Sequence, residues 1–465
     1  MTAVCTSPGT FEPANAWAPF SPSREVHWDL RRVVHLHRRA GFGASWDELE
    51  RDLKDGPGAS INRLLNGQAR SGLGQVAGEF ESTSTALADA AAGSGEPSRL
   101  QAWWIWRMLH SSDALGERLT LLWHNHFATS NAKIRDLAAM RQQNETFRRL
   151  ARAPFGELLT AALRDPALLA WLDAPANRKG HPNENLAREL LELFSLGIGN
   201  YTEADVQESA RALTGWSVSA GQFRQLASAH DGGLKCILGK RGNWSGNDLI
   251  AIVLDHPATS RRLSWRICDC FMGEGAVTGD QVEALAAGLR GNHLDIGWAV
   301  ATVLRSAAFF AAPNIASRVA GPPEFLAGAV AALEVRDAST VALADWMTRM
   351  GQDLFYPGNV GGWPGGRSWL GSRGLLARVN FAAALADGHA IGCAEHLNAL
   401  ELAVRHSSGR APEELIAWFA KLMLGRELSA PARDQILASV KPYTLPELAR
   451  RLAVMVLCTA EAQVN

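Results

Sequence analysis

The stretch HPNENLARELLELFSLGIGNYTEADVQESARALTGW, residues 181–216, decides the fold. Its apolar residues recur at three- and four-residue steps, so Leu186, Leu190, Leu191, Leu193 and Phe194 take one side of a helical wheel. Asn183 reads as the N-cap, Glu184 lies in the first turn where the helix dipole favours an anion, and Gly197 suits the position just past the last turn. Glu184, Arg188 and Glu192 share the opposite side at i, i+4 and i+8, the spacing of a surface ion-pair ladder. Asn185 and Glu189 flank that row, and Glu189 sits at the margin of the apolar arc beside Leu193. Thr202 then opens a second helix with Asp205 three residues on, a capping-box start.

The same period runs through the chain on both sides. RLQAWWIWRMLH, LGERLTLLWHNHF, GDQVEALAAGLRG, IGWAVATVLRSAAFFA, PEFLAGAVAAL and TLPELARRLAVMVLCTAEAQ all carry it, and strand-like alternation is confined to GLKCILG, residues 233–239. The expected class is mostly all-α, a large multi-helix globular fold with long loops and at most a short β-hairpin. Residues 1–70 form an N-terminal helical segment, and the Gly/Ser/Ala-rich residues 71–98 a flexible insertion or linker. Residues 99–320 make the core helical domain with a polar pocket. Residues 321–465 are a C-terminal helical part with a Gly/Trp-rich loop at 356–374, and the four read as one integrated unit.

Composition narrows function by exclusion. The 46 basic and 47 acidic side chains nearly cancel, which gives no footprint for nucleic acid. No uncharged apolar run reaches the ~18 residues of a membrane span. The amino terminus lacks a basic stretch followed by an apolar one, so a cytoplasmic chain is expected. Six cysteines form no CxxC pair, and Cys268 and Cys270 read as ordinary buried thiols.

LLWHNHFATSN, residues 121–131, raises the question of chemistry. On a helix over 115–127, His126 falls within the apolar arc and His124 points the opposite way, beside Glu117 and Thr120, as a solvated or rim residue. They cannot share a metal if one helix runs through both. His126 is either a functional imidazole or a core histidine bonded to a backbone carbonyl. AHDGGLKCILG gathers His230, Asp231 and Lys235 around a glycine turn, which is either a plain turn or a loop site. In the glycine loop, Trp363 and Trp369 either stack on a ligand or pack over the core.

Several segments together resemble one known family. VVHLHRRAGFGAS, LLWHNHFATSN, NENLARELLELFSLGIGNYTEADVQESARALTGW, HDGGLKCILG and PGNVGGWPGGRSWLGSRGLLARVNFA are similar, in order, to the bacterial domain of unknown function 1800 family. The resemblance implies that Asn125, His126, Phe127, Glu184, Asn185, Arg188, Glu189, Asp205, Arg211, Thr214, Gly215, Trp216, His230, Asp231 and Lys235 match its pattern. His37 and the ending TAEAQ depart from it. It also implies relatives that are exported, against the leaderless start.

Three functions stay open. In the first, His126, Glu184, Glu189, His230, Asp231 and Lys235 form the catalytic pocket of an enzyme acting on a small molecule, glycan or peptide. Asn125, Asn185, Arg188, Arg211, Trp216 and Trp363 would bind the substrate, and His126, Glu189 and His230 would hold a divalent metal. In the second, the same groups form a buried polar network in a non-catalytic scaffold, with a protein as its partner. In the third, His126 or His230 ligates haem.

Overall fold

Apolar periodicity becomes helix almost everywhere in the computed structural model, which describes residues 13–68, 77–273, 275–440 and 443–465. The helices that position the site are α1 (Leu30–Ala40), α2 (Trp46–Leu65), α3 (Ala77–Ser94), α4 (Pro97–His110), α5 (Ala114–His126), α6 (Leu137–Arg149), α7 (Asn185–Glu189) and α8 (Glu203–Ala212). After the strands come α9 (Pro257–Phe271), α10 (Pro322–Ala332), α11 (Thr340–Arg349), α12 (Ser372–Asp387), α13 (Pro412–Leu424) and α14 (Leu445–Leu457). Among the described residues no helix is long and apolar enough to cross a membrane.

The decisive stretch folds nearly as its pattern requires. Thr202 and Asp205 form the reciprocal capping box. Asn183 accepts the amide of Asn185 at 3.0 Å, but the helix begins one residue later than an Asn183 cap would set it. After Glu189 the backbone widens into a π turn, Leu190–Ser195, and Gly197 at φ +84° ends it. That widened turn leaves late carbonyls for outside donors.

Two small antiparallel ladders appear where the sequence suggested one. Strands β1 (Trp216–Ser219) and β2 (Gln222–Gln225) pair with Trp216 opposite Gln225. Strands β3 (Lys235–Ile237) and β4 (Lys240–Gly242) pair with Lys235 opposite Gly242, within the predicted stretch and just beyond it. The first hairpin was hidden because helical periodicity runs straight up to Trp216. Its turn residues Ala220 and Gly221 both hold positive φ, the backbone that a tight two-residue hairpin loop demands.

The expected linker is a correction. Residues 71–76 lie outside the described ones, but 77–94 are helix α3, as an alanine-rich text favours. Ala88 and Ala91 join the core, and the Ser84 hydroxyl accepts from Trp103 at 3.0 Å and Arg107 at 2.6 Å.

Two apolar clusters fill the interior, and α1 and α5 stand between them. Val33 and Val34 face one cluster while Leu36 and Ala40 face the other. Leu121 likewise faces the first, and Leu115, Leu119, Leu122 and Trp123 the second. Helices apolar on two sides belong between layers, and α5 carries one wall of the cleft described next.

Candidate functional site

The two histidines of α5 are both sealed in the interior. His126 is 4% exposed, and its Nε2–H donates to the Phe194 carbonyl at 3.1 Å. That carbonyl lies in the π turn, so the imidazole serves as a donor to a helix end. Burial, then the charges of Arg266 and Arg262, depress its pKa well below the ordinary histidine value. His124 corrects the expectation of a solvated residue: it is 1% exposed and accepts from Asn144 Nδ2 at 3.0 Å. Its ring is covered by Trp104, Phe147 and Phe355, while Arg107 and Arg148 pair Glu117 on the same face, at 2.8 and 2.6 Å. Burial, then Arg148, pushes His124 down to about 3.

The loop trio meets Arg211 in a network whose groups answer one another. Asp231 Oδ2 accepts from Arg211 Nε at 2.7 Å, and its Oδ1 accepts the Gly233 amide at 2.8 Å. The Arg211 hydrogen bond, against slight burial, holds the Asp231 carboxyl down to about 2. Lys235 is 1% exposed and donates to the carbonyls of Asp231 and Gly233, at 2.6 and 3.0 Å. His230 Nδ1–H donates to the Thr214 carbonyl at 3.0 Å. Gly215, at φ +84°, threads beneath this loop, where a Cβ would lie 2.5 Å from the Leu226 carbonyl. The network pins the β3–β4 hairpin to α8, with Glu208 and Asp205 accepting the Cys236 and Leu238 amides.

The remaining predicted residues disperse. Glu184, Arg188 and Glu203 form a half-exposed ladder at 2.9 and 2.8 Å. Asn185 lends its amide to Asn183. Glu189 is half-buried, and burial followed by Glu192 raises its pKa. Trp216 is 1% exposed behind Gly246, edge-on to Phe223, so it packs a core rather than faces a ligand. His126, Glu189 and His230 do not meet as a metal set. Among the described residues, the group of His, Cys, Asp or Glu ligands close enough to share an ion is Asp47, Glu50 and His406, at the surface. Cys268 and Cys270 are buried thiols, both raised by burial.

Asn125 and Trp363, by contrast, come together at a cleft of about 300 Å³ between α5, α9, the start of α10 and the glycine loop. Asn125 Oδ1 accepts the Trp363 amide at 2.7 Å, and the Trp363 indole donates to the Asp353 carbonyl at 3.0 Å. Gly362, at φ +92°, lets the loop lie against Asn125; a Cβ there would sit 2.6 Å from the Asn125 carbonyl oxygen. On the opposite wall are Trp265, 40% exposed, Arg266 and Asp269. At the base, Glu324 takes Arg118 at 2.5 Å and Arg318 at 2.6 Å, and also the Gly321 amide and Asn465. Against full burial, those two guanidinium groups hold its carboxyl far below the usual range.

A protein-family model of unknown function, DUF1800, matches residues 35–464. The chain belongs to the DUF1800 family. No curated protein and no solved structure matches it.

In this DUF1800 chain the cleft's chemistry rests on residues that sequence reasoning passed over. Arg118, Arg318 and Glu324 are scattered and share no local motif. Arg262, Trp265, Arg266 and Asp269 do carry a signal, because RRLSWRICDCF sets them at three- and four-residue steps on one face of a helix. Among the described residues Arg266 and Asp269 have neither hydrogen bond nor ion pair within the protein, and Arg266 Nε is buried without a partner.

Proposed function

We propose that this DUF1800 protein binds a small molecule in the cleft beneath the glycine loop. One observation carries the reading: the cleft is where uncommitted polar side chains gather, Arg266 and Asp269 on one helix, beside aromatic walls. Ligand pockets combine such apolar walls with a few convergent polar groups. The histidines and the loop trio, whose polar atoms serve helix ends and turns, fit the reading of a structural polar network. An enzymatic role would draw on Asp269, a cleft carboxylate that makes no hydrogen bond within the protein.

Gly365→Phe tests this directly. Gly365 lines the cleft with extended backbone and open space at its Cβ, so a ring there fills the cleft without disturbing the fold. Saturation-transfer NMR of the full chain against a metabolite mixture is expected to reveal a binder that Gly365→Phe abolishes. A binder untouched by that substitution, or none at all, would sink the reading.

A further inference from the structure

Charge at the base of the cleft does not balance. Arg38, Arg39, Arg118, Arg318 and Arg378 all lie within electrostatic reach of Glu324. Five guanidinium groups thus face Glu324, and the one further carboxylate acting on them, Asp269 on Arg318, still leaves an excess of positive charge. Arg38, Arg39 and Arg378 satisfy their hydrogen bonds mainly with carbonyls: Ala462 at 3.0 Å, Phe271 and Asn314 at 2.9 Å each, and Ala320 at 2.6 Å. A carbonyl answers a hydrogen bond but not a charge, and buried charge without a counter-ion is costly. The arginines come from four separate segments, Arg38 and Arg39 sharing α1, so folding itself concentrates them. Low-dielectric walls then focus their field into the opening.

We infer that the ligand of this cleft carries an anionic oxygen group, a carboxylate or a phosphate, gripped by Arg266 above the guanidinium cluster. The inference rests on the cleft being the ligand site. Arg266 is the gripping residue because its fork is free, whereas Arg118 and Arg318 are held by Glu324. A planar guanidinium matches two oxygens of a carboxylate or phosphate at once. Its guanidinium lies 5.9 Å from the centre of the half-exposed Trp265 ring, which leaves that indole to report on occupancy. Asp269, three residues along the same helix, orients the anion by repelling it from its own side and favours a ligand with a donor next to the acidic group. A neutral ligand would leave the guanidinium excess unanswered. A polyanion such as nucleic acid needs a basic stripe rather than a hollow of this size.

Calorimetric titration of the full chain with inorganic phosphate, with malonate and with glucose, at matched ionic strength, tests it. Saturable one-to-one binding of phosphate or malonate is expected, with none for glucose, and whichever anion binds identifies the group. Arg266→Gln should weaken binding at least tenfold and Arg266→Lys less, both with unchanged circular dichroism, because Arg266 makes no hydrogen bond or close ion pair in the protein. If neither anion binds, or if Arg266→Gln binds as the parent does, the inference falls. A neutral metabolite displaced by Gly365→Phe would refute the anion while leaving the cleft reading intact. Anion binding indifferent to both Arg266→Gln and Gly365→Phe would refute both.

Discussion

His126 shows how one imidazole reads differently in a list and in a fold. Its Nε2–H closes the π turn at Phe194, so removing the ring opens a cavity and strands a carbonyl. His126→Ala is expected to cost about 2–4 kcal/mol in urea unfolding while leaving ligand binding in the cleft measurable. The pH dependence follows from the same burial. His35, His124 and His126 are all depressed when folded, so their contribution is complete above the unfolded value near 6.5. It is lost as pH falls toward the folded value, about 3 for His124. Asp165 acts in the opposite sense: burial raises it from 3.8 to about 6, so it weakens the fold as pH climbs through that interval. Asp165→Asn should therefore add about 2–3 kcal/mol at pH 7 and almost nothing at pH 4, and equal gains at both would contradict the assignment. The histidine pair was half legible. A wheel put His126 in the apolar arc, but it put His124 outside because it could not see Trp104, Phe147 and Phe355 closing over that face from other elements.

Helices and turns were the readable part, because period, caps and glycines are local. The Thr202–Asp205 box, the Gly197 terminus and the β3–β4 hairpin all follow from neighbours in sequence. What joined the elements was not readable, since Arg211 answers Asp231 twenty residues on and Asn125 answers Trp363 from the far part of the chain. Both joints can be probed. Asp231→Asn should loosen the hairpin, with faster hydrogen exchange at the Cys236 and Leu238 amides and global stability lower by about 1 kcal/mol. Gly362→Ala meets both a positive φ and the Asn125 carbonyl. It should lift the glycine loop, cost about 1–3 kcal/mol, and weaken any cleft ligand; an unchanged affinity would mean the loop does not form its wall.

The two cores share α1 and α5, so neither is whole without the other. A fragment of residues 99–320, the region that reads as a core domain, loses α1 from both clusters and Glu324 from beneath Arg118. It is expected to show no cooperative melt by circular dichroism, and a sharp one would argue for an autonomous unit. The helical class could be read from sequence because period repeats along the chain, whereas the arginine cluster could not because its members meet only after folding. The Arg118–Glu324–Arg318 knot also sets a clock for the living cell. Arg118 leaves the ribosome about 200 residues ahead of its carboxylate. At roughly 5–20 residues per second it waits on the order of 10–40 s with its charge unanswered. Through that interval the nascent chain exposes a cationic half-built pocket, so chaperone dependence should track the rate of translation across this span.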